Sequence, residues 1–194
     1  MKLNYALATL LLAGASAQAS VFHFNALLSG AAEAPPNASP ATGLSSIYFD
    51  TVTHLMSIEI GYSGLLGETT AAHIHCCTAV PGVGIIGVAT EVPTFDFVTL
   101  GSHGGDFHGV EDLSLASEYN PAFLAANGGT AASAEAAFLA GIFAGRSYVN
   151  IHSTFRRAGE IRGFLAVPEP STAAILALAL AGLGWRHRGR SNKG

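Results

Sequence analysis

Between residues 20 and 167 the chain has no lysine, and four arginines (Arg146, Arg156, Arg157 and Arg162) face twelve aspartates and glutamates. That span is near −8 with histidine neutral, against −4 for the whole chain, because the C-terminal end is basic. An acidic surface repels phosphate backbones, which argues against a nucleic-acid partner. Tryptophan occurs once, as Trp185, and cysteine twice, as the adjacent Cys76 and Cys77. No Gly-x-Ser-x-Gly elbow and no phosphate-cradling glycine loop are present. The carboxylates offer no spaced acid and base pair, so no catalytic residue is assigned and no named hydrolase is supported. Charged residues make up only 11% of the chain, yet 49% is hydrophobic, too apolar for disorder.

The two ends read as addresses rather than fold. Residues 1–19 carry an early Lys2, an apolar run from Tyr5 to Leu12 and small residues in an Ala-x-Ala pattern. That is the plan of a secretory signal peptide, with an apolar stretch too short to span a membrane. Residues 167–194 open on Pro168-Glu169-Pro170, continue apolar from about Ala173 to Trp185, and close on Arg186, Arg188, Arg190 and Lys193. The prolines stop any preceding ladder, and the basic end favours the cytoplasmic side. This three-part tail resembles the PEP-CTERM sorting signal of Gram-negative bacteria. The resemblance implies an exosortase as processing partner and transient inner-membrane anchoring, while the N-terminal signal implies signal peptidase. It further implies final residence at the cell surface or in exopolysaccharide, with that polymer or other surface proteins as partners.

Residues 20–166 remain for one domain. Period-two alternation marks strands in VFHFNALLSG, LSSIYFD, LMSIEIGYSGL, TAAHIHC, RSYVNIHST and GEIRGFLAV, with a further strand in GSHGGDFHGVEDLSL. Asn120-Pro121 is a helix opening, Gly128-Gly129 a stop, and Thr130 the cap of a second helix with Phe138, Leu139 and Ile142 as its apolar stripe. The expected fold is mainly β: an antiparallel immunoglobulin-like or superoxide-dismutase-like sandwich with a small helical insertion. No internal repeat points to a solenoid or propeller.

The segments LSGAAEAPPNASPATG, AAHIH, AGRSYVNIHS and GEIRGFL, in that order and spacing, resemble the chordin-type CHRD domain across residues 22–166. The resemblance implies a β-sandwich and little chemistry. The chain departs from the pattern after His75, where Cys76 and Cys77 replace the usual small residues.

The residues themselves offer two readings. His73 and His75 share one strand face, and His152 follows Tyr148 and Asn150 on one face of another. If those strands meet, three imidazoles converge in a set suited to copper or zinc, with an open position. This is similar to the placement of copper ligands in copper–zinc superoxide dismutases, and His103 or His108 could add a ligand. Alternatively, the histidines are scaffold bonded to carbonyls. Asn150, Glu160 and Arg162 are expected to form a structural polar network, and His23, His54 and His187 to be merely solvated. Cys76 and Cys77 are read first as a vicinal disulfide, with intermolecular bridging and thiolate ligation as alternatives. The function expected is therefore a non-enzymatic structural or binding module of the surface or matrix. The alternative is a metal-binding or metal-dependent redox protein built on His73, His75 and His152.

Overall fold

The structure, a computed structural model, describes residues 21–168. The signal-peptide reading of 1–19, the tail from Glu169 onward and His187 lie outside the described residues. Seven strands form one antiparallel sheet: β1 (Val21–Ser29), β2 (Thr42–Asp50), β3 (Leu55–Ser63), β4 (Thr69–His75), β5 (Gly105–Asp112), β6 (Tyr148–Ser153) and β7 (Ile161–Phe164). Their spatial order is β4-β6-β7-β1-β2-β3-β5. The join between β7 and β1 is narrow, a single registered pair at Ser29 and Arg162 plus a bridge from Asn25 to Ala166. The sheet curls about this join into a four-stranded half and a three-stranded half.

Alternation explains the core. Phe24, Ala26 and Leu28 of β1, Ile47 and Phe49 of β2, and Met56, Ile58, Ile60 and Tyr62 of β3 point inward and are buried. Ala72 and Ile74 of β4, Val149 and Ile151 of β6, and Ile161 of β7 join the same cluster. Truncating any of the larger side chains to alanine costs about 2–5 kcal/mol, because the cavity left behind only partly collapses.

The expected helical insertion lies between β5 and β6 as α1 (Pro121–Ala126) and α2 (Ala131–Phe143). The Asn120 side chain accepts the Ala122 N–H at 2.9 Å with Pro121 in the first helical turn, and Thr130 forms a capping box with Ser133. The stripe of α2 is Ala134, Phe138, Gly141 and Ile142, with Leu139 only at its margin. Glu135 is also buried on this helix, where it meets the His54 ring at 2.9 Å. His54 is therefore tied down rather than merely solvated. His23 is not merely solvated either, its ring stacked on Tyr48 at 4.3 Å with Nε2 buried and without a hydrogen-bond partner.

Candidate metal centre

The outer face of the three-stranded half carries the histidines. Register sets His73 of β4 opposite Asn150 of β6, His75 opposite Tyr148, and His152 opposite Ala71, one step along the same face. Ile74, Val149 and Ile151, on alternate positions, fill the core on the other side. His73 and His152 ring centres are 5.2 Å apart, His75 and His152 5.7 Å, and His73 and His75 6.0 Å.

Two loops cover this face and hold each ring by one nitrogen. His73 Nε2 donates to the Pro93 carbonyl at 2.5 Å, and His75 Nδ1 to that of Ile86 at 2.7 Å. Both carbonyls belong to the long connection 76–104 between β4 and β5. His152 Nδ1 donates to the Arg157 carbonyl at 2.9 Å, in the turn between β6 and β7. The nitrogens left over, His73 Nδ1, His75 Nε2 and His152 Nε2, are buried and have no hydrogen-bond partner. One ligand nitrogen from each ring lies within 4.8 Å of those of the other two. Burial pushes His73 and His75 down to about 4 and lowers His152, against the opposing pull of the carbonyls. All three are therefore neutral at physiological pH, the state in which imidazole ligates a metal.

Further side chains fix the arrangement. Tyr148 stacks on His75 at 4.8 Å with nearly parallel rings, and its hydroxyl lies 3.3 Å from the Ile86 carbonyl. The Arg162 guanidinium sits 4.7 Å from the centre of the Tyr148 ring. Arg162 Nε donates to the Ala32 carbonyl at 2.6 Å and Nη1 to Gly84 at 2.9 Å, so one buried arginine ties the Pro-rich loop and the 76–104 connection to β7. Its ionic neighbour is Glu33, 3.8 Å away. Burial raises Glu33 to about 7 although Arg162 pulls it down.

The expected network of Asn150, Glu160 and Arg162 resolves into separate groups. Glu160 lies just before β7 and accepts from Ser39 Oγ at 2.6 Å, from Ser153 Oγ, and from the Leu66 and Gly67 amides. Burial works to raise its pKa, but these donors outweigh it and the net shift is downward. Arg162 instead pairs with Glu33, a residue the sequence reading passed over because it stands in a proline-rich loop far away in the chain. Asn150 is buried between these groups with its Oδ1 unpartnered. Gly159, at φ +125°, leaves the space beside it, where a Cβ would lie about 2.5–2.7 Å from the Asn150 amide and the Glu33 carboxylate.

Neither auxiliary histidine reaches the group. His103 Nδ1 bonds to the Leu65 carbonyl at 2.8 Å, and His108 faces Glu59 across β3 and β5. Cys76 and Cys77 are joined to each other by a disulfide across a cis peptide. Both sulfurs face α2 at Gly141, where any Cβ would run into them, so they lie away from the imidazoles.

Comparison with known proteins adds the family and the route. The model of the CHRD domain matches residues 24–165, and that of the PEP-CTERM protein-sorting motif matches residues 166–189. No curated protein and no solved structure matches the chain. The sorting motif marks the chain for export and exosortase processing at the membrane. With the domain model spanning most of the chain and part or all of every strand of the sandwich, the chain belongs to the CHRD domain family.

Proposed function

We propose that this exported protein is a non-enzymatic module of the cell surface or matrix that binds one copper or zinc ion through His73, His75 and His152. One observation carries the reading: two buried imidazoles and one half-buried, His152, each donate one N–H to a backbone carbonyl and leave the other nitrogen bare and shielded from solvent. Metal-ligating histidines characteristically have this outer partner, which fixes the tautomer and turns the lone pair toward the ion. A single buried nitrogen without a partner, as at His23 Nε2, costs about 1–3 kcal/mol. Three such atoms side by side are hard to maintain unless something binds them. Nitrogens on one tetrahedral ion at about 2.0–2.1 Å are about 3.3–3.5 Å apart. Small ring rotations would bring the set to that spacing.

Enclosure favours holding an ion over turning over a substrate. His73 and His75 are 6% and 7% exposed, and all three bare nitrogens are shielded from solvent. The sorting tail supports display at the cell surface or in the exopolysaccharide matrix. Native mass spectrometry of the exported protein tests the metal. One zinc or copper per chain, lost in His73→Ala and His152→Ala, is expected. A metal-free chain after exposure to both ions would return the histidines to scaffold.

A further inference from the structure

A second chelating group lies beside the same long connection. Glu91, Asp96 and Glu111 bring carboxylate oxygens within 4.8 Å of one another. Glu91 and Asp96 bracket a turn that Glu91 closes by accepting the Asp96 backbone N–H at 2.7 Å. Phe95, between them, is fully buried and stacks on Phe97 at 5.1 Å, which anchors the turn in the core. Phe97 in turn occupies the space over Gly109 of β5 that a side chain there would need, and this brings the turn down beside Glu111.

Clustered acids on a surface mean little alone, but Glu111 is not on the surface. It is 5% exposed, and among the described residues no N–H or hydroxyl donates to it. Among the described residues its hydrogen-bonding neighbour is another acid, Glu118, and the charges acting on it, from Glu91, Glu118 and Asp96, all share its sign. Buried carboxylates are otherwise found hydrogen-bonded, paired with a cation or coordinating a metal. Among the described residues no cation pairs with Glu111, and the only bond it has is shared with a second carboxyl group.

We propose that Glu91, Asp96 and Glu111 form a binding site for a hard divalent cation, Ca²⁺ in the extracellular setting. The donors are all oxygens from carboxylates, the set that suits Ca²⁺ rather than the softer ions favoured by imidazole. Glu118 and water would supply further oxygens to a coordination shell of about six to eight. Pro93, whose carbonyl holds His73, lies between Glu91 and Asp96. A cation here would therefore brace the segment that positions one histidine, yet the proposal stands whether or not the histidines bind metal.

The test is thermal unfolding of the exported, chelator-stripped protein during titration with Ca²⁺, with Tb³⁺ luminescence sensitised through tyrosine as a direct binding signal. A saturable rise in Tm is expected, with its midpoint at about 0.1–1 mM, the range of extracellular calcium modules. The rise and the luminescence should both vanish in Glu111→Gln and in Glu91→Gln, and both should persist in His73→Ala. Glu91 is only half-buried, so its variant carries the test should Glu111→Gln fold poorly. No saturable shift up to about 10 mM would overturn the site. So would an equal shift from NaCl at matched ionic strength, or an undiminished response in both variants.

Discussion

The two halves of the sheet share one core and treat their outer faces in opposite ways. In β3 the burial alternates cleanly, exposed or half-exposed on one side and buried on the other, as expected of an antiparallel strand with one wet face. In β4 and β6 the alternation nearly disappears, because the loops 76–104 and 153–160 cover the second face as well. Polar residues on the four-stranded half, such as Glu59, meet water. Their counterparts on the three-stranded half, His73, His75, Asn150 and Arg162, are enclosed and must find partners within the protein. On the twice-covered face three unsatisfied nitrogens are cut off from water together, and an ion bound among them would relieve that cost.

The sharpest way to break that contrast is to remove a charge from each outer face. Arg162→Ala strands Glu33 and frees two loop carbonyls, and a loss of about 3–5 kcal/mol in urea unfolding is expected for breaking a buried pair. Glu59→Ala on β3 should stay within about 0.5 kcal/mol. Equal losses would erase the distinction between the halves. A smaller pair of effects comes from glycines. Gly141→Ala drives a methyl into the Cys76–Cys77 sulfurs and should cost about 1–3 kcal/mol. Gly61→Ala, which meets only the exposed Asp106 carboxylate, should fall within about 0.5 kcal/mol by the same measurement.

Acid should sharpen the contrast further. The folded pKa values of His73 and His75 lie near 4, below the usual 6.5, so the unfolded chain binds more protons between those limits. Stability of the metal-free protein is then lost as pH falls from about 6.5 to about 4, by up to about 1.4 kcal/mol per pH unit for each such histidine. Glu33 and Glu111, both raised, push the other way over part of that range, so the informative quantity is a difference. Wild type should lose stability on acidification relative to a His73→Leu, His75→Leu variant. Parallel curves would refute the buried-neutral assignment. The smallest effect belongs to His54, raised by its hydrogen bond and charge interaction with Glu135. Its contribution is full below pH 6.5 and fades as pH rises through the higher folded value. His54→Ala should therefore weaken the protein at pH 5.5 and leave it nearly unchanged at pH 8.5 or above.

Much of the architecture was legible because it repeats locally. Met56, Ile58, Ile60 and Tyr62 announce a strand and its buried face, and Asn120-Pro121 and Thr130 announce two helix starts, all within a few residues. The common face of His73 and His75 follows from the same periodicity. The role of Glu33 was hidden because its partner, Arg162, lies far along the chain. The acidic group at Glu91, Asp96 and Glu111 was hidden likewise, since none of its spacings is regular.

The chain's order of residues by itself determined the C-terminal sorting motif, the strand alternation, the helix caps and the pairing of histidines on one strand face. Tertiary structure alone decided that β4 lies against β6, that Pro93, Ile86 and Arg157 supply the carbonyls, and that three nitrogens are thereby left bare. The physical reason is that every residue carries the same backbone carbonyl. Which of them reaches an imidazole, and whether water still does, depends on the path of a long loop over the sheet and not on any side chain that could signal it.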